Sequence, residues 1–249
     1  MPCCEVVNPD TGDLLVRLEY FQEHDPRNPT VFDQFIERHA FVRQEILQKT
    51  YKTVVYDSAT SLEMLARVQS KNLLNKKIED QRKHYGYSTN ELGEILCMAV
   101  GGLPCNIVVV CHIDSDKDEV LGTFVRNPSF PGKLKTMIGK DYSEFYYLRA
   151  GYTPETQTYF NEVQTRTRNG MHAASQIHAP DPCASTYEAL WQNWTSPRRP
   201  IHCLVYGDPG AGKSTFVATF PTPILVFMFD GLGKDTPYLN LGLSSDIVD

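Results

Sequence analysis

Apolar residues fall along this chain in short runs, separated by stretches of helical spacing. Residues 13–20, after the turn-forming Asn8-Pro9-Asp10-Thr11-Gly12, read as a strand. Thr53 to Tyr56, Asn106 to Cys111, Ile201 to Tyr206 and Pro223 to Phe229 are apolar at nearly every position, as strands covered on both faces must be. Within 31–49, Phe32, Phe35, Ile36, His39, Val42, Ile46 and Leu47 recur on one helical face. A second helix is expected from about Ser61 to Lys83, ending before Gly86. A third runs from Ser88, which forms a capping-box pattern with Glu91, to Ala99, with Gly101-Gly102 as its stop. A helix over Lys213 to Phe220 is cut off by Pro221. Residues 113–131 are polar and rich in turn formers, too long for a simple connection. A short helical or turn segment follows Pro131, then strands near 144–149, 157–166 and 171–178, and 179–200 reads as a linker or surface crossing. Buried strands alternating with helices predict an α/β fold, with a mostly parallel central sheet flanked by helices.

Composition agrees with an ordinary globular chain: 249 residues, 41% apolar and 22% charged, enough for a sizeable core in one large domain or two small ones. A net charge of −6 excludes an overall basic signature for nucleic acid and leaves only local basic stripes. The seven cysteines form no C-x-x-C pair and several lie in apolar runs, so buried reduced thiols are expected rather than zinc or disulfides. No apolar run approaches a membrane span, and the start Met1-Pro2-Cys3-Cys4-Glu5 lacks signal-peptide character. The expectation is a cytoplasmic protein with no membrane partner.

One motif changes this picture. Gly207-Asp208-Pro209-Gly210-Ala211-Gly212-Lys213-Ser214 fits G-x-x-x-x-G-K-[ST] and lies between a strand and a helix, the context a phosphate-binding loop requires. The glycines let the backbone curl its N–H groups toward phosphate, with the positive helix end behind them. Lys213 is expected at the β- and γ-phosphates and Ser214 on Mg²⁺. Residues 214–249 are too few to complete a nucleotide-binding sheet, so its other strands are expected before the loop. Asp57, at the end of the Thr53–Tyr56 strand, is the candidate acid for the metal shell, acting through water; a plain helix-capping Asp is the alternative. His112 closes the next strand, at the ligand crevice of an open α/β sheet, as a γ-phosphate sensor or merely a strand-end residue. Asp230 ends the strand after the loop's helix and is the first candidate to orient or deprotonate an attacking water, against a simple turn Asp before Gly231. In 113–131, Lys117 and Arg126 stand with Phe124 and Phe130, and Lys133 and Lys135 follow. The mixture suits single-stranded nucleic acid, but four acids in the same loop argue for a solvated surface. Arg166 and Arg168 fit a solvated face better than arginine fingers.

Taken in sequence, these pieces resemble the RecA-type P-loop ATPase core, and more narrowly the phage-encoded RecA-like ATPases related to single-strand annealing proteins. Gly207 to Thr215 resembles the P-loop, and Phe229-Asp230-Gly231 with Gly233 to Tyr238 resembles the segment that follows it in the phage proteins. Thr53 to Ser58 resembles the Walker B strand, Ile107 to His112 the sensor strand, and Pro131 to Leu148 the segment returning after the DNA loop, with His112 where RecA has Gln. The resemblance covers nearly the whole chain in rotated order. Joining residue 249 to residue 1 and cutting near 185 restores the family order, so a circularly permuted single domain over 1–249 is expected. Residues 1–184 then carry the Walker B, sensor, DNA-loop and C-terminal strands, and residues 185–249 carry the P-loop region. The resemblance implies ATP and Mg²⁺, hydrolysis, single-stranded DNA as partner in recombination or annealing, a homo-oligomer, and the cytoplasm of a phage-infected bacterium. A permuted GTPase has two lures, Asp230-Gly231-Leu232-Gly233 as D-x-x-G and Asn75-Lys76 as the start of N-K-x-D. Position 78 is Ile, however, and 214–229 is too short for a switch segment. A non-catalytic nucleotide- or DNA-binding module remains the alternative from another class.

Overall fold

The computed structural model describes residues 2–48, 50–73, 81–98, 103–117, 124–130, 134, 138, 142–168, 170–231 and 234–242. In chain order they form β1 (Cys3–Val7), β2 (Leu14–Tyr20), α1 (Val31–Leu47), β3 (Thr53–Asp57), α2 (Ala59–Leu73), α3 (Gln81–Gly93), β4 (Asn106–Cys111), β5 (Ile113–Lys117), β6 (Phe124–Pro128), β7 (Glu144–Thr153), β8 (Thr158–Gln164), β9 (Ala174–Ser175) and β10 (Cys183–Ala184). Then come α4 (Tyr187–Leu190), β11 (His202–Gly207), α5 (Lys213–Ala218), β12 (Ile224–Met228) and α6 (Thr236–Leu239).

A ten-stranded mixed sheet is ordered β1-β2-β12-β3-β4-β11-β7-β8-β10, with β9 on β7. The run from β2 to β7 is parallel at every pairing, while β1, β8, β9 and β10 add antiparallel edges. The expected α/β class, a mostly parallel sheet flanked by helices, is what the chain adopts. Strand alternation feeds two cores. Val54, Tyr56, Ile107, Val109, Leu204, Leu225 and Phe227 face α1, α2 and α3, where Phe32, Phe35, Leu62 and Leu92 meet them. Val55, Val108, Val110, Val205, Val226 and Met228 face Phe216 and Val217 of α5, Tyr187, Leu190, Trp191 and Tyr238. Each fully buried aliphatic side chain contributes roughly 1.5–3 kcal/mol, and these strands are apolar between their first and last residues.

Register decides what the sheet presents. Asp57 pairs with Met228 on one side and Val110 on the other, and Cys111 pairs with Tyr206. The C-terminal tips of β12, β3, β4 and β11 therefore share one edge, although they come from opposite ends of the sequence.

Several expectations are corrected. Gly86 does not stop a helix and Ser88 does not start one, because both lie inside α3. The Ser88 hydroxyl is satisfied there by Glu63 of α2 at 3.0 Å and by the Tyr85 carbonyl, so it has no need of a cap position. The helix continues as a π-helical turn over Glu94–Met98, and Ala99 with Gly101-Gly102 lies outside the described residues. Part of 113–131 is a hairpin, β5–β6, rather than irregular loop. Residues 179–200 are no linker: Tyr187, Leu190 and Trp191 are buried and roof one sheet face. The strand expected over 171–178 is only the two residues of β9, and β1 was not anticipated. Helix α5 ends at Ala218, short of Phe220. Among the described residues no helix is long and apolar enough to cross a membrane.

Candidate nucleotide-binding site

Gly207 is the last residue of β11, and its missing side chain is a packing requirement. A Cβ there would sit 2.3 Å from the Leu148 carbonyl oxygen of β7. Gly210 and Gly212 both take φ +79°, left-handed backbone that glycine adopts without steric cost. Between them the chain turns tightly, with Ala211 N–H donating to the Asp208 carbonyl at 3.1 Å, and α5 begins at Lys213. Because α5 has only six residues, the loop's own N–H groups rather than a long helix dipole are its main asset for anions.

Lys213 is 8% exposed and its ammonium folds back, donating to the Gly207 and Asp208 carbonyls at 2.9 Å each. Burial pulls its pKa below the ordinary lysine value, against the pull of Asp57, Asp208 and Asp230. Ser214 Oγ donates to Asp57 Oδ2 at 2.8 Å, joining residues 157 positions apart. Tyr238 of α6 donates to the same oxygen at 2.9 Å. Burial pushes the Asp57 carboxyl pKa up, the Ser214 and Tyr238 donors oppose the shift, and Asp230 adds to it.

Asp230 follows β12 and is 7% exposed. It accepts from Ser58 Oγ at 2.9 Å, from Ser61 Oγ and from Lys234 Nζ at 2.7 Å, with His112 Nε2 at 3.6 Å. Burial works against its charge, but the His112, Lys234, Ser61 and Ser58 donors outweigh burial and hold the pKa far below the usual carboxylate range. Such a carboxylate stays ionised and is a poor proton acceptor, suited to orienting a water rather than deprotonating it.

These residues enclose one cavity of about 360 Å³, lined by Pro209, Gly210, Gly212, Lys213, Ser214, Thr215, Asp57, Ser58, Val110, His112, Asp230, Lys234 and Pro237. The expected Lys213, Ser214, Asp57, His112 and Asp230 are thus brought together. Asp208 points elsewhere: its carboxylate lies 3.3 Å from the Tyr147 hydroxyl and 3.8 Å from Arg126. Arg126, a candidate for DNA, reaches Asp208 of the glycine-rich loop instead, and Phe130, named with it in the 113–131 loop, is 2% exposed in the core. The Lys117 side chain, Lys133 and Lys135 lie outside the described residues, as do Asn75 and Lys76. Arg168 lies 4.0 Å from Glu162, and Arg166 is exposed on the same strip. Sequence patterns did not reveal Lys234, Tyr238 and Ser61. The spacing of Lys234, four residues past Asp230, was a usable signal. The Tyr238 contact crosses 181 positions and left none.

Ser214 and Asp57 are hard oxygen donors, the class Mg²⁺ prefers, and Mg²⁺ takes most of its remaining ligands from water and phosphate. Among the described residues no cluster of three or more His, Cys, Asp or Glu side chains is placed to hold a metal ion. Comparisons with protein-family models, curated proteins and solved structures returned no match.

Proposed function

We propose that this chain is a RecA-like P-loop ATPase in circularly rotated sequence order, binding ATP with Mg²⁺ and hydrolysing it. The observation that supports this most is the cavity itself: a glycine-built phosphate loop from 207–215 shares one pocket with Asp57 and His112. Strand β4, which His112 follows, lies between the P-loop strand β11 and the Asp57 strand β3, and Lys213, Asp57 and Asp230 line the same cavity. Gly242, the last described residue, packs against Val6 and Val7 of β1, which supports the rotated order.

In this reading the loop N–H groups and Lys213 hold the β- and γ-phosphates, and Lys213 leaves its two carbonyl partners to do so. Ser214 and Asp57 would hold the metal, Asp57 through water, while Tyr238 donates its one hydrogen bond to the Asp57 carboxylate. Mg²⁺, when bound, neutralises charge on the phosphate oxygens. Asp230 orients the water for in-line attack, and Lys213 stabilises the charge that develops on the transferred phosphoryl group. Single-stranded DNA as partner, a homo-oligomer and a cytoplasmic, phage-infected setting follow from the resemblance. A nucleotide-binding module without turnover is the second reading, favoured by the donors that crowd Asp230.

Phosphate release from Mg–ATP, with and without single-stranded DNA, separates the two. The ATPase reading expects turnover by the wild type, raised by DNA, and at least about a hundredfold less with Lys213→Ala. Wild-type turnover no faster than the variant under both conditions removes the enzyme reading.

A further inference from the structure

The Asp230 carboxylate is held from two sides that differ in kind. Its Oδ1 accepts from Ser58 at 2.9 Å and from Ser61, hydroxyls at the passage from β3 into α2. Its Oδ2 meets the Lys234 ammonium at 2.7 Å and His112 Nε2 at 3.6 Å. Ser58 is 1% exposed, whereas the Lys234 side chain is 56% exposed and that of His112 32%. Lys234 and His112 line the same cavity as Lys213 and Ser214. One carboxylate oxygen is therefore anchored to the fold, and the other is covered by groups that a ligand in the cavity would touch.

Residues on either side of Lys234 are tied into the fold. Gln22 donates to the Asp230 carbonyl at 2.9 Å, Tyr20 to the Asp235 carboxylate at 2.6 Å, and Tyr238 to Asp57 at 2.9 Å. The ammonium can then change partner by rotating its own four-carbon stem, without moving the segment.

We propose that Lys234 is a positioning residue that distinguishes a nucleoside triphosphate from a diphosphate by exchanging Asp230 for the terminal phosphate. This rests on the P-loop reading above. The terminal phosphate offers several charged acceptor oxygens against the single carboxylate oxygen that holds the lysine, and it competes for the ammonium on those terms. The exchange uncovers Asp230 Oδ2 inside the cavity, where it accepts a hydrogen bond from the attacking water. The serines keep Oδ1, and with it the carboxylate plane, in place. A diphosphate leaves the Lys234–Asp230 pair closed and the water site covered, so the device couples assembly of the catalytic arrangement to the nucleotide that has a bond to break.

The test is calorimetric titration of the full chain with ATP and with ADP in Mg²⁺, for the wild type, Lys234→Ala, Lys234→Arg and Lys213→Ala. The expected result is about a tenfold loss of ATP affinity in Lys234→Ala with ADP affinity unchanged, the scale of one charge-assisted hydrogen bond. Lys234→Arg should keep most of the preference for ATP. If Lys234→Ala keeps the wild-type ratio of ATP to ADP affinity while Lys213→Ala loses both nucleotides, Lys234 has no such role and the P-loop reading stands. If the wild type binds neither nucleotide, or Lys213→Ala binds like the wild type, both fall together.

Discussion

Replacing Tyr238 by Phe removes a single hydroxyl from a residue that is otherwise completely buried, and that hydroxyl donates to Asp57 Oδ2 at 2.9 Å. Phe keeps the ring and its packing against the α5 side of the sheet, so the substitution isolates the hydrogen bond. A hydrogen bond to an ionised carboxylate is worth about 1.5–3 kcal/mol, and one to the protonated acid about 1 kcal/mol. Asp57 has its pKa raised by burial above the ordinary 3.8. The folded protein therefore keeps this proton at pH values where the unfolded chain has released it. The contribution of Asp57 to stability is greatest below about pH 3.8 and declines as pH rises through the folded pKa. Loss of the Tyr238 donor penalises the ionised form most, so the gap between wild type and variant must widen as pH rises. At pH 8 the variant should melt about 3–12 °C lower, and near pH 4 the difference should shrink to a few degrees. Thermal melts across that range, in buffers of matched ionic strength, supply the measurement. A gap that is large but constant with pH would make Tyr238 a packing residue only, and no gap at all would remove the bond to Asp57.

The loop glycines should separate by mechanism. In Gly207→Ala the new Cβ meets the Leu148 carbonyl at 2.3 Å, so β11 and β7 must part, costing roughly 3 kcal/mol. Gly210→Ala meets nothing within 4 Å and costs only the left-handed backbone, about 1–2 kcal/mol. Urea midpoints that rank the two the other way contradict the loop geometry. His39, half-buried with its ring 2.7 Å from the Tyr56 hydroxyl, has its pKa lowered by desolvation to about 4. Between about pH 6.5 and pH 4 the unfolded chain takes up a proton that the folded chain refuses, so stability falls as pH drops, by up to roughly 3 kcal/mol. His39→Gln should flatten that acid limb, and an unchanged slope assigns it to other groups.

What was readable in the sequence follows from how local each signal is. The buried strands stood out because Thr53–Tyr56, Asn106–Cys111 and Ile201–Tyr206 are apolar on both faces, which only a sheet covered by helices on both sides allows. The 207–214 loop was legible because its glycines are required one by one, Gly207 by Leu148 and Gly210 and Gly212 by their positive φ. Asp57, His112 and Asp230 were legible as polar residues that end apolar strands, since a strand tip at this edge is where the sheet meets the cavity. Ser88 misled because a capping-box spelling says nothing about Glu63 on a neighbouring helix, which satisfies its hydroxyl in mid-helix. Residues 179–200 misled in the same way. Their prolines and charges suggest a surface crossing, while Tyr187 and Trp191 among them close over the sheet. The donors around Asp57 and Asp230 depend on contacts between distant segments and left no periodic trace.

The central claim is that Asp57 and the P-loop, 157 positions apart, form one metal-assisted nucleotide site. Its most direct test is the Mg²⁺ dependence of ATP affinity in the wild type and in Asp57→Asn, which keeps an oxygen to accept from Ser214 and Tyr238 but removes the charge. The account predicts that Mg²⁺ strengthens ATP binding by the wild type, and that Asp57→Asn loses most of that gain while binding metal-free ATP at least as well. An equal gain from Mg²⁺ in both proteins would contradict it.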